Sequence, residues 1–191
     1  MSVASALAHQ ARTGARLTQN ELARLADVHQ PAVARAERGN TGLTVSSLDR
    51  LVRAAGWRLT VVPTRAATAA DTAEVIANLI GTASVDGPFR AIIQLADDLA
   101  AEHGAERVAL TVTPPQPTGD IRFDALLAGV VETRLDEQHL PHPRWLATAQ
   151  CLSSPWFVDN SSVGDAATIA ATPSALAKRG VIIDADELMS L

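Results

Sequence analysis

Apolar positions recur at helical spacing over most of the chain. Leu22 and Leu25, with Ala23 and Ala26 beside them, fall on one face; Val33 and Ala36 repeat the pattern, and Val45, Leu48, Leu51 and Val52 repeat it again. The spacing predicts short helices opening near Thr18, His29 and Thr44 or Ser46 and closing at Asp27, Gly39 and Gly56. From Trp57 to Val62 the rhythm changes to the alternation of a strand, stopped by Pro63. A lone strand leaves its peptide groups unpaired. This one is expected either to meet the same strand of a second subunit or to join a sheet within its own chain.

Residues 64–72 are small and polar and read as a linker or a helix lead-in. Beyond them the helical rhythm returns at Asp71 to Ile80 and at Phe89 to His103, where Ile92, Ile93, Leu95, Ala96 and Leu99 form a stripe. It returns again at Phe123 to Leu140, with Leu126, Leu127, Val130, Val131 and Leu135 on one face. Arg107 to Thr113 is apolar and β-branched and reads as a buried strand, halted by Pro114 and Pro115. A short helix is expected at Pro143 to Gln150 and further ones at 163–171 and Pro173 to Arg179. Pro155 to Val158 is an apolar packing anchor, and Val181 to Ile183 a brief strand or extended segment. The expected fold class is mainly α: a helical head with a following β-strand, then a helix-rich α+β second domain.

Local chemistry sharpens the head. Thr18 and Glu21 stand in capping-box spacing. Asp27 is expected in a left-handed turn, which Gly, Asn and Asp tolerate best, with Val28 plugging the corner. Pro31 suits a first helical turn and Gly39 a helix end. Ala32, Arg35 and Arg38 then face outward with Gln30.

Charge divides the chain. Residues 1–65 carry nine Arg and four acids, a net of +5, whereas residues 66–191 carry seven bases and seventeen acids, a net of −10. A basic head suits a polyanion, and an acidic body suits something else. The expected domains are therefore 1–65, binding DNA, and 66–191, an acidic partner-binding domain. Asp97, Asp98 and Glu102, like Asp184, Asp186 and Glu187, read either as a solvated acidic face or as a surface for a basic protein. No Gly-rich phosphate loop, HExxH or GxSxG motif is present, so no enzyme and no cofactor are expected. His139, His142 and Cys151 make a poor zinc set, and no metal is expected. One cysteine excludes an internal disulfide. With no signal-like start and no long apolar run, a cytoplasmic protein free of the membrane is expected.

Residues 3–62 resemble the Cro/repressor-type, or XRE-family, helix-turn-helix regulators, whose head is lambda-repressor-like. The resemblance is carried by Leu17-Thr18-Gln19, Leu22-Ala23, Val28, Gln30-Pro31, Val33 and Glu37-Arg38-Gly39. It departs at Asp27, where the family usually has Gly, and at Ala34, where a polar contact is common. The resemblance implies double-stranded operator DNA as partner. It places Gln19 at a phosphate, with Arg16 and Thr18 close by. His29 and Gln30 stand at the head of the recognition helix, Gln30 on a base edge and His29 on DNA or simply exposed. Ala32 lies on the same face, Arg35 at a guanine or a phosphate, and Arg38, Asn40 and Thr41 along the backbone. Arg12 and Glu37 match the family's buried ion pair. A helical head followed by one strand resembles antitoxin-type repressors of the HigA and HipB kind, in which such strands help form homodimers.

Pro155 to Asp159 and Thr172 to Asp184 resemble the C-terminal halves of actinobacterial antitoxin-type regulators. Their partners are often nucleotidyltransferase-like toxins encoded alongside. Three functions follow as expectations. The first is an antitoxin that represses its own operon and neutralises a cognate toxin. The second is a stand-alone regulator whose body senses a ligand. The third is an enzyme or toxin carrying a DNA-binding head, which lacks a catalytic set.

Overall fold

Thr18, Thr44 and Thr68 each start a helix in the same way. Each is extended, and its hydroxyl accepts a first-turn N–H, from Glu21, Ser47 and Asp71 respectively. At Thr18 and Thr68 the acid three residues on reaches back to the threonine's own N–H, so two orphan donors are satisfied at once. The computed structural model in which these caps are seen describes residues 3–39, 42–82, 86–159 and 163–188. It divides into two compact units, Met1–Val61 and Val62–Leu191, and is mainly helical.

The first unit contains α1 (Val3–Gly14), α2 (Gln19–Leu25), α3 (Gln30–Arg38) and α4 (Val45–Ala54). Small residues let the helices approach: Ala8, Ala11, Ala23 and Ala36 are buried beside Leu22, Val33, Leu51 and Val52. Burying one such large side chain contributes about 1.5–3 kcal/mol. Trp57 and Leu59 pack against this core from the segment after α4. That segment corrects one expectation. Residues 57–62 form no strand; among the described residues the only sheet has two strands, both in the second unit. Trp57 and Leu59 are spent on the core, and the peptide groups of 58–61 meet no backbone partner within the described chain.

The second unit runs through α5 (Ala69–Leu79), α6 (Gly87–Ala101), α7 (Gly104–Ala109) and α8 (Ile121–Asp136) to α9 (Ala166–Ala171) and α10 (Ser174–Ala177). Helix α8 is its axis: every residue from Ala125 to Glu132 is buried, and α5, α6 and α10 pack around it. Gly129 permits a close approach of α10, since a Cβ there would stand 2.3 Å from Leu176 Cδ2. Buried Glu132 pairs with Lys178 and Arg179 and so fastens the chain after α10 to α8.

Two further expectations change. Arg107 to Thr113 is not a strand: helix α7 occupies 104–109. Arg107 is buried, and its guanidinium donates to the carbonyls of Ala100 at 3.0 Å, Glu102 at 2.9 Å and Arg134 at 2.5 Å. It thereby satisfies carbonyls at the ends of α6 and α8, and this tertiary role overrides local β-propensity. The apolar anchor at 155–158 contains a strand, β1 (Trp156–Phe157), paired in parallel with β2 (Val181–Ile182), Trp156 opposite Val181. The short helix expected at 143–150 is present as a 3-10 helix, Arg144–Thr148.

The acidic face of α6 has a role that neither sequence reading named. The Thr64 hydroxyl donates to Glu102 at 2.6 Å, and the Ala67 N–H donates to Asp98 at 3.2 Å. The start of the expected linker is thus fixed to the second unit, in keeping with a boundary between units at 61–62, ahead of the change in charge.

Candidate nucleic-acid interface

The turn between α2 and α3 forms because Asp27 takes φ of +53°, the left-handed conformation its position requires. The Val28 N–H then donates to the Ala23 carbonyl at 2.9 Å, closing the corner. His29 is the extended residue before α3 and makes no side-chain cap, and Pro31 lies in the first turn. Leu22, Ala23, Val33 and Ala36 face the core. His29, Arg35 and Arg38 are exposed, and Gln30 and Ala32 half-buried.

A chain of hydrogen bonds holds the head of α3. Gln30 Nε2 donates to Gln19 Oε1 at 2.9 Å, and Gln19 Nε2 donates to Glu37 Oε2 at 2.9 Å. Glu37 also accepts from Arg12, Nε at 2.6 Å and Nη2 at 3.0 Å, the forked geometry that makes such pairs strong. Arg12 Nη1 donates onward to the Leu17 carbonyl at 2.9 Å. Glu37 is 7% exposed. Burial works against its charge, but the hydrogen bonds from Arg12, Gln19 and His9 more than offset that and hold its carboxyl below the usual glutamate range. The ion pair expected from the sequence is therefore present, inside a wider network.

That network has a chemical consequence at Gln30. One of its two amide N–H groups is occupied by Gln19. The remaining N–H and Oε1 are the donor and acceptor needed to bind an adenine edge through two hydrogen bonds. Gln19, bonded to both Gln30 and Glu37, fixes the orientation of the Gln30 amide. Thr18 is committed to its cap, since its hydroxyl both accepts from the Glu21 N–H and donates to the Glu21 carboxylate at 2.8 Å. Arg38 turns back along its own helix, Nε donating to the Ala34 carbonyl at 3.0 Å. Arg16, with φ of +56°, and Arg35 are exposed cations with no partner among the described residues. Asn40 and Thr41 lie outside the described residues.

Arg50, exposed on α4, is not marked out by the sequence pattern. It lines, with Arg35 and Thr44, a hollow of about 310 Å³ between α3 and α4. Only the fold brings those two arginines to one place.

In the second unit the ligand atoms of Glu132, Asp136 and His142 lie within 4.8 Å of one another. Both Glu132 oxygens already face cations, Lys178 and Arg179, and His142 Nε2 is hydrogen-bonded to Asp136 at 2.8 Å, so the cluster is accounted for by contacts within the chain. Among the described residues no helix is long and apolar enough to cross a membrane.

Residues 9–59 match the family model described as Helix-turn-helix. They form a Cro/C1-type helix-turn-helix domain within the chain, and the match supports a DNA-binding transcriptional regulator. No curated protein and no solved structure matches the chain.

Proposed function

We propose that the chain is a DNA-binding antitoxin that represses its own operon through the first unit and neutralises a cognate, nucleotidyltransferase-like toxin through the second. The observation that carries the reading is the joining of a basic helix-turn-helix unit to a separately packed unit of strongly negative net charge. The function needs two copies. Gln30-bearing helices of a homodimer would enter successive major grooves roughly 34 Å apart. Residues 58–61, without backbone partners in the described chain, are suited to pair with their counterparts in the second copy. Arg16, Arg35 and Arg38 would supply part of a salt-sensitive affinity, and the protein would work in the cytoplasm.

The test is to express the chain with its genomic neighbour and isolate what copurifies, with a gel shift on its own promoter alongside. A basic partner whose toxicity is relieved by the second unit supports the reading; a neighbour that neither binds nor harms the cell overturns it. A second reading, a stand-alone regulator that senses a ligand, is favoured by one observation: a cavity of ligand size in the second unit.

A further inference from the structure

That cavity has a volume of about 330 Å³, within the range of about 300–1,000 Å³ typical of small-molecule sites. Pro114, Pro115 and Pro117 form one wall, Leu127 and Trp145 others. The indole is fixed, because its Nε1–H donates to the Thr111 carbonyl at 2.8 Å. The prolines supply apolar rings and no N–H donors. Asp124 is the single charged residue of the lining. Its Oδ1 accepts the N–H of Thr118 at 2.8 Å, and its second oxygen has no partner among the described residues. Thr118 is itself buried and bonded to the Asp120 carbonyl at 3.0 Å, so the loop presenting this face is held in place. Asp124 also lies in the first turn of α8, where negative charge is favoured. That accounts for an acid at this position but not for the apolar hollow it borders.

We propose that the cavity binds a small organic ammonium ion with a compact apolar body, its N–H donating to the uncommitted oxygen of Asp124. The lining offers a carboxylate and no cation. An anion would meet repulsion there, and a purely apolar molecule would cover the carboxylate oxygen without replacing its water. An ammonium forms a charge-assisted hydrogen bond while its body packs on the prolines and the indole. The inference rests on the second reading only in taking the cavity for a binding site.

The test is calorimetric titration of the full chain with benzylammonium, benzyl alcohol and benzoate. Benzylammonium is expected to bind saturably and benzoate not at all. Asp124→Asn keeps an oxygen for the Thr118 N–H and is expected to weaken benzylammonium by about tenfold or more, as loss of one charge-assisted bond implies. Ala149→Leu, which fills the cavity and leaves the carboxylate, is expected to abolish binding. Absence of saturable benzylammonium binding to the unaltered chain overturns the proposal; so does equal binding of benzoate, or unchanged affinity in folded Asp124→Asn. A gel shift with and without benzylammonium separates the two ideas. Binding that leaves DNA retention unaltered supports the occupant of the cavity and removes the sensing role.

Discussion

Glu37 ties three helices together through one carboxylate: it belongs to α3, and it holds Arg12 of α1 and Gln19 of α2. Its folded carboxyl titrates below the usual range, so its contribution to stability is fully present above the unfolded glutamate value of about 4.3 and is lost as pH falls through the lower folded value. Acid titration followed by the amide NMR signals of α3 is expected to show the first unit losing stability over that window, and Glu37→Gln is expected to flatten the dependence. Glu132 obeys the same sign in the second unit, where hydrogen bonds from Lys178 and Arg179 overcome the opposing effect of burial. At the reading face, Gln30→Ala is expected to cost about 1–3 kcal/mol at one base pair and to relax preference there. Binding titrations on operators varied at that pair check this; equal loss on every sequence would reduce Gln30 to a positioning group.

Among elements, α8 crosses α10 closely at Gly129. Gly129→Ala forces its new methyl into Leu176, whose Cα is also only 3.2 Å away, so the side chain cannot yield without backbone movement. Urea unfolding of the second unit is expected to show a loss of about 1–3 kcal/mol. The helices themselves were legible in the sequence where apolar spacing met a capping threonine, as at Thr18 to Leu25, or a closing Gly, as at Phe89 to His103. The failures share a cause. Arg107 to Thr113 carries β-branched residues, but its structure is decided by carbonyls at the ends of α6 and α8 that the Arg107 guanidinium satisfies, and no local pattern encodes them. Trp57 to Val62 alternates like a strand because Trp57 and Leu59 pack inward, and among the described residues no strand of its own chain pairs with it. The Arg12–Glu37 pair was legible through the family resemblance. The Gln30–Gln19 bond was not, since eleven residues separate its partners and only the turn at Asp27 brings them together.

For the whole molecule, the two units carry opposite charge and separate cores, so their activities are expected to separate. A fragment of residues 1–66 should retain salt-dependent operator binding in gel shifts and lose toxin neutralisation in a growth-rescue assay. Full rescue by the fragment would overturn the division. The fastening of Thr64 and Ala67 to α6 bears on how the chain is cut. Both Arg58 and Arg65 are exposed, yet trypsin must draw several residues into an extended cleft. From Arg58 to Val61 the peptide groups have no backbone partner among the described residues, whereas Arg65 is flanked by bonds to Glu102 and Asp98. Brief digestion should therefore cleave after Arg58 before Arg65, releasing a large fragment that mass spectrometry would find beginning at Leu59.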